Sequence, residues 1–574
     1  MSATGFDYDV IVIGSGFGGG VAAMRAVEKG YRVGILEAGK RWRDEDIPKS
    51  SWDVRKFVWQ PELELFGIQR VRYLDDVIVL AGAGVGGGSI VYGNTLYYPK
   101  DKFFAAPGWS SITDWKAETA PYFDVAQRMF GVAPSPYMDT DGDRIVRSVA
   151  KDMQRPYVRA PLGIYFGTPG VEADDPYFGG AGPRRTGCVN CGNCMIGCGR
   201  GAKNKVTENY LYLAEKHGAV VHELREVFEL TPLATGGYEV RTRHPGWAQR
   251  MIHAGRDRYT AKQVIVAAHA FGTAQLLWRM KHEGVLAHLS DELGKRARTN
   301  SEALISVQRS EEDFKKDPER HHIVPGTSAV TSVLIADEES TMGPVYYGVG
   351  SDAMALLYTA VAPGSDEHAF GNWLKKLLEN PLETLSIDDT RHWAQRGFNM
   401  LCMRDHDDWL DLYWKDGMLR SKPGSAGAPP PFLEVANKVG NQVAAKLGGR
   451  MAQTFFAVAS KATSSHFVGG MTIADSADKG VIDPYQRVFG HPGLHIMDGS
   501  VIAANPGVNP SLTIAALAER AMSFWPHNGE SDSRPPLGSG YTRIKPTLPR
   551  SPIVPKGAPA EYRLDATHVS DLTA

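Results

Sequence analysis

Residues 7–13, DYDVIVI, form an unbroken apolar, β-branched run, the pattern of a strand buried on both faces of a parallel sheet. The glycine-rich stretch GSGFGG follows, and GVAAMRAVEKG then predicts a helix ending at Gly30. YRVGILEAG predicts a second strand ending in Glu37. Farther along, VIVAAHAFGTAQLL (264–277) reads as strand, turn and helix start. REVFEL, which contains Val227, is strand-like. LHIMDGSVIAANPGVNPSLTIAALAER (494–520) predicts a buried strand ending at Asp498, a loop, and a helix starting near Ser511. Between these stretches, TSVLIADEE and VYYGVGSDAMALLYTAVA alternate enough to predict antiparallel strands. NWLKKLLENPLETL has the period of an amphipathic helix, either a lid or an ordinary surface helix. After about residue 528 the chain turns polar and proline-rich, a composition that cannot build a core. An arm with little regular structure is expected there, lying along the surface or against a partner subunit. The chain carries no internal repeat.

The first strand–turn–helix–strand unit places Gly14, Gly16 and Gly19 as G-x-G-x-x-G, with Glu37 about 20 residues on. Gly14 permits the tight turn, Gly16 lets backbone approach a pyrophosphate, and Gly19 lets helix and strand pack closely. The helix N-terminus then faces the diphosphate, and Glu37 is placed to accept hydrogen bonds from ribose hydroxyls. The unit predicts a dinucleotide site and leaves FAD and NAD both open.

Bulk composition narrows the class. With 574 residues the chain is long enough for two large domains. It is 43% hydrophobic and 22% charged, ordinary for a globular protein. A net charge of −2 offers no field to attract nucleic acid or an anionic membrane. No apolar stretch of about 20 residues predicts a membrane span, and the N-terminus lacks a basic region followed by an apolar one. A cytoplasmic protein is expected.

Four of the five cysteines, Cys188, Cys191, Cys194 and Cys198, follow the spacing C-x2-C-x2-C-x3-C. That spacing suits a [4Fe–4S] cluster, and the surrounding glycines give a short loop freedom to wrap one. The residue after the fourth cysteine is Gly199 rather than the proline usual in ferredoxin-type runs. A tetrahedral zinc site and a set of unligated thiols are the alternatives. Cys402, in the apolar FNMLCMR, reads as a core residue.

Three segments select FAD: AGAGVGGGSIVYGN (81–94), VIVAAHAFGTAQLL and the 494–520 stretch. Together they resemble the glucose–methanol–choline (GMC) oxidoreductase family, most closely its bacterial cholesterol oxidase-like branch, over about residues 7–525. The resemblance implies an α/β fold, α+β overall: a Rossmann-like FAD-binding domain with a discontinuous antiparallel-sheet substrate domain. The FAD domain would comprise residues 1–100, 200–300 and 467–527, and the substrate domain 101–199 and 301–466, with a Cys-rich loop at 186–203 and an arm at 528–574. It also implies cofactor contacts at Gly86, Gly87, Ser89, Asn94, Val227, Asp498, Gly499, Asn509 and Pro510, beside Gly14, Gly16, Gly19 and Glu37. The helix starting near Ser511 would aim its positive end at the flavin N1/O2 edge. His466, in SSHFVGG, resembles the family's catalytic histidine, and Asn509, 43 residues on, its partner. A histidine suits removal of a hydroxyl proton while the carbinol hydride goes to flavin N5. Cholesterol oxidases add a glutamate, for which Glu302 is a candidate. One departure is His269, where the family usually has glycine; it either crowds or contacts the cofactor, or the loop simply tolerates it.

The expected activity is FAD-dependent oxidation of a primary or secondary alcohol on a bulky, steroid-like substrate, with electrons leaving through the cluster to a protein or quinone acceptor. An oxygen-using oxidase without a cluster and a redox-sensing flavoprotein without alcohol turnover are the alternatives. The oligomeric state is left open.

Overall fold

The computed structural model describes residues 5–136, 139–252, 257–316, 328–360, 369–379, 381 and 389–566. The N-terminal apolar run forms the strand Tyr8–Ile13, and the helix Phe17–Glu28 and strand Val33–Leu36 follow. Parallel neighbours extend this into a sheet in the order Val220–His222, Val33–Leu36, Tyr8–Ile13, Arg258–Val266, with Leu494–Ile496 also pairing in parallel with the last. Val10, Ile11, Val12, Val264 and Ile265 are fully buried, as an unbroken apolar run requires when helices cover both faces. An antiparallel hairpin, Glu226–Pro232 with Tyr238–Arg243, completes the edge.

A second, seven-stranded sheet is antiparallel throughout. Its order is Tyr358–Ala360, Arg450–Thr454, Ala303–Gln308, Gly397–Arg404, Ser340–Val345, Ser332–Ile335, Tyr157–Arg159. The two-residue period divides its side chains. Leu334, Met342, Met400 and Cys402 pack beneath the helices Asp141–Asp152 and Glu434–Leu447. Val333, Val345, Leu401 and Met403 point the other way, into a shared cavity.

A five-stranded sheet bridges the two. Its order is Ala462–Ser464, Val77–Gly82, Gln69–Tyr73, Val58–Gln60, Leu65–Phe66. The amphipathic helix expected from NWLKKLLENPLETL is present as Ala369–Glu379, and the rest of that segment lies outside the described residues. Residues 528–566 contain no helix or strand and run over the chain's own surface. There Thr547 N donates to Ser523 O at 2.8 Å and Ile553 N to Glu28 Oε1 at 2.9 Å.

Candidate active site

The sheets enclose a cavity of about 380 Å³ at the carboxyl ends of the parallel strands, where open α/β sheets bind ligands. Gly14, Gly16, Glu37, Gly87, Val227, His466, Asp498, Gly499, Asn509 and Pro510 all line it. Residues spread over nearly 500 positions thus meet at one hollow.

The glycine turns explain how backbone comes so close. Gly14 has φ +99°, and a Cβ there would overlap the Ala267 carbonyl, so both conformation and space exclude a side chain. Gly16 and Gly87 touch backbone to backbone, which seats the second glycine loop on the first. Gly19 packs on the Gly14 carbonyl and does not line the cavity. Gly86, Ser89 and Asn94 also stand behind the wall. Gly86 N donates to Ser15 Oγ at 3.0 Å, and Ser89 Oγ donates to Gly86 O at 2.6 Å, so these residues hold the loop's shape. Asn94, at φ +67°, is fully buried with neither amide atom hydrogen-bonded.

Glu37 ends the second strand, and its carboxylate is already engaged. Oε2 accepts from Ser15 N at 3.1 Å and Ser15 Oγ at 2.6 Å, while Oε1 accepts from Gly39 N at 2.8 Å. Asp498 accepts from Thr273 Oγ1 at 2.6 Å and from Ser500 N at 2.8 Å, and burial raises its pKa. The helix Ser511–Ser523 begins at Pro510 on the cavity wall, so its N-terminal N–H groups and positive end face the hollow.

His466 sits between the strands Ala462–Ser464 and Val468–Gly469, each in a different sheet. Asn509 Nδ2 donates to His466 Nε2 at 2.9 Å. On the far side of the ring, His466 Nδ1 meets Glu302 Oε2 at 2.8 Å. Glu302 is 2% exposed, does not line the cavity, and also accepts from the backbone N–H groups of Ser465 and His466. A carboxylate on Nδ1 fixes the tautomer with its proton there, leaving the Nε2 lone pair toward Asn509 and the cavity. Asn300 ties the Asn509 loop to the same segment: its Nδ2 donates to Val508 O and its Oδ1 accepts from Gly507 N, both at 3.0 Å. The segment 299–302 therefore anchors both halves of the pair. Only Glu302 was a sequence candidate there, because these contacts span 164 and more residues.

His269 takes φ +69° at the start of the helix His269–His282 and lines the cavity. Burial, with Arg70 nearby, pushes its pKa down to about 4, so the ring is neutral near neutral pH. Trp59 and Arg70, on paired strands, line the same hollow and carried no sequence signal.

The four cysteines correct an expectation. They sit in a loop that touches the cavity through Met195. However, among the described residues no group of three or more His, Cys, Asp or Glu side chains is placed to hold a metal ion. Gly192, at φ +72°, opens a turn of 3-10 helix at 193–196 that buries Cys194 and leaves Cys191 exposed. Burial pushes the thiols of Cys188 and Cys194 up to about 12 and about 11, so without a metal both are neutral near pH 7. The expected iron–sulfur cluster finds no support in this geometry, and neither does zinc. Lys203, fully enclosed, fastens the loop instead, donating to Ile90 O and Tyr92 O at 2.8 Å and to Cys194 O at 3.0 Å.

Residues 428–518, which carry both His466 and Asn509, match the GMC oxidoreductase family. A cholesterol oxidase of Mycobacterium tuberculosis is 44% identical over 575 residues, covering 97% of this chain and 98% of its own length. The chain belongs to the GMC oxidoreductase family. It falls in the cholesterol oxidase-like branch and is an FAD-dependent alcohol oxidoreductase. A cholesterol oxidase of Acinetobacter baumannii is 36% identical over 547 residues, covering 92% of this chain and 96% of that one. The crystal structure of pyridoxine 4-oxidase from Mesorbium loti shares the fold, with a TM-score of 0.57 and 14% identity over 90% of this chain and 98% of that one. The cavity suits FAD: glycine backbones leave room where a Cβ would intrude, two helix N-termini face the space, and hydrogen-bonding atoms of Arg70 and Trp59 on its wall are unmatched. Among the described residues no helix is long and apolar enough to cross a membrane.

Proposed function

We propose that this protein oxidises the hydroxyl of a bulky, hydrophobic, sterol-like alcohol to a carbonyl, with dioxygen as the electron acceptor. The observation that carries this reading is the His466–Asn509 pair, Nε2 to Nδ2 at 2.9 Å, beside a cavity wall of apolar side chains. His466 Nε2 removes the hydroxyl proton. Asn509 turns its amide from the histidine to the substrate oxygen and holds the alcohol in line. Glu302 positions the ring from behind and stabilises it once protonated. FAD bound here would supply the acceptor for the carbinol hydride and pass the electron pair on to dioxygen, giving a carbonyl compound and hydrogen peroxide. Gly14, Gly16 and Gly87 would hold the diphosphate, Glu37 would offer its remaining lone pairs to a ribose, Val227 would meet the adenine through backbone, and Asp498, Gly499 and Pro510 would hold the flavin end. Val333, Val345, Leu401 and Met403 give a large apolar substrate a surface it can cover without stranding polar groups. The cholesterol oxidases at 44% and 36% identity support both the sterol class and the oxygen acceptor.

The test is turnover of cholesterol in air, measuring ketone and peroxide together. Equal amounts of both are expected. Ketone formed only with an added artificial acceptor would overturn oxygen as the acceptor. No ketone from any 3-hydroxysteroid, with no bleaching of the flavin, would overturn the substrate class.

A further inference from the structure

One wall of the cavity carries two arginines that no acid side chain pairs directly. Arg70 and Arg72 project from one strand, Gln69–Tyr73, and both line the hollow. Among the described residues neither side chain forms a hydrogen bond or an ion pair, and Arg72 raises the cost of charging Arg70, while Glu37, Glu62 and Glu226 act on Arg70 at longer range. The Arg70 guanidinium lies 4.8 Å from the ring centre of Trp59, its register partner on the adjoining strand. Both Arg70 Nε and Trp59 Nε1 are buried without an acceptor. A buried donor left unmet destabilises the fold, and more so when it is charged. Two such donors side by side at the wall of a cavity call for a partner that the protein itself does not supply. Burial, with Arg72, pushes the Arg70 pKa down to about 10, outweighing the nearby acids Glu37, Glu226 and Glu62.

The partner must be anionic, rich in acceptors, and reach this wall. Arg70 is coupled electrostatically to Glu37 and Glu226, which flank the ribose end of the first glycine turn and the hairpin carrying Val227. It also depresses the neighbouring neutral His269. Glu37 and Glu226 stand at the first glycine turn and on the hairpin carrying Val227, where the dinucleotide fold brings the adenosine half of a cofactor.

We propose that Arg70, stacked on Trp59, is a recognition residue for the adenosine diphosphate half of FAD, its guanidinium supplying the counter-charge and donors that this half requires. This rests on the chain binding FAD and goes beyond the glycine turns and Glu37. Guanidinium suits the task because it can stack through its face and donate through its edge at once, which lysine cannot.

The test is Arg70→Met, which keeps the stem over Trp59 and removes charge and donors. Two readouts should move in opposite directions. The flavin-free variant should unfold at the same temperature as the flavin-free parent or higher, because a buried cation with no direct partner is gone. Its affinity for FAD, followed by flavin fluorescence, should fall by at least tenfold, and ADP should no longer raise its unfolding temperature as it does the parent's. Loss of stability in the flavin-free variant together with parental FAD affinity would mean a purely structural arginine and overturn the proposal. So would an ADP-induced shift equal to the parent's. Failure of the parent itself to bind FAD would refute the cofactor assignment, a result distinct from either.

Discussion

At the scale of single residues, the site works by fully engaging its buried carboxylate. In Glu302 one oxygen serves two backbone N–H groups, and the other serves His466 Nδ1 and Ser465 Oγ. An amide cannot do the same, since either its NH2 faces two backbone donors or it faces Nδ1. Glu302→Gln should therefore disturb the tautomer of His466, slowing alcohol-driven flavin reduction with little change in KM. Unchanged reduction rates and pH profile would show that Glu302 is only packing. His466→Ala should slow the same step by roughly 10²-fold or more, the usual worth of a positioned base. Reduction by dithionite, which needs no hydroxyl proton removed, should stay normal in both variants. His269 sets a pH dependence of its own. Its folded pKa is about 4, against about 6.5 when unfolded. Between those values the unfolded chain takes up a proton that the folded one refuses, so stability is full above about 6.5 and falls as pH drops toward 4. His495, held well below its ordinary value by burial, acts in the same direction. Denaturation of the flavin-free protein at stepped pH should show this decline, and His269→Gln should flatten it.

At the scale of elements, buried charges lock the helices that surround the glycine turn. Arg25, on the helix Phe17–Glu28, donates to Glu519 on the last helix at 2.7 and 2.8 Å, and Tyr210 adds a third bond to the same carboxylate at 2.7 Å. Arg520 reaches back to Glu118 on the helix Trp115–Met129 at 2.6 Å. Removing one member strands the others in a dry interior, so Glu519→Ala should cost about 3–5 kcal/mol. Chemical denaturation should show it, and a loss under 1 kcal/mol would mean water reaches the pair. Much of this region is legible from sequence because its signals are local: an apolar run, a glycine turn and a ribose acid within 31 residues, 7–37. The antiparallel sheet is less so. TSVLIADEE does yield the strand Ser332–Ile335 and leads into Ser340–Val345. But the central strand Ala303–Gln308 pairs with Gly397–Arg404 and Arg450–Thr454, partners about 90 and 145 residues away, which no local pattern encodes. Arg70 and Trp59 pair across a short separation, but no local pattern marks them as facing a cavity built from distant segments. The cysteine spacing is local too, and the thiols do act on one another, but the turn at Gly192 buries Cys194 and leaves Cys191 exposed, and among the described residues no three His, Cys, Asp or Glu side chains are placed to hold a metal ion.

At the scale of the whole molecule, the last stretch of chain closes the FAD-binding side over its own core. A polar, proline-rich segment cannot fold alone, yet it can lie on a surface already built. Here Val554 and Ala560 are each 1% exposed, packed into the main core, and Tyr562 stacks over Arg25 at 4.2 Å. Tyr541 hydrogen-bonds Glu118 and accepts from Arg520 at 2.9 Å. Arg128 donates to the backbone carbonyls of Glu561 and Arg563. The arm thus covers both buried ion pairs that join the three helices, and it is what keeps water from them. Charge pairs are worth little in water and much more when dry, so the arm's contribution should exceed the apolar area it buries. Ending the chain after Asn528 should therefore lower the unfolding temperature and make that temperature depend on salt, because the newly wetted pairs become screenable. The parent, with its pairs enclosed, should show little salt dependence over the same range. Among the described residues no hydrogen bond joins His466 or Asn509 to residues beyond 528, so flavin reduction by alcohol should survive at temperatures where the truncated chain is folded. Equal stability and equal salt response in the two chains would reduce the arm to a passenger, and loss of alcohol-driven reduction in the folded truncated chain would give it a place in the active site.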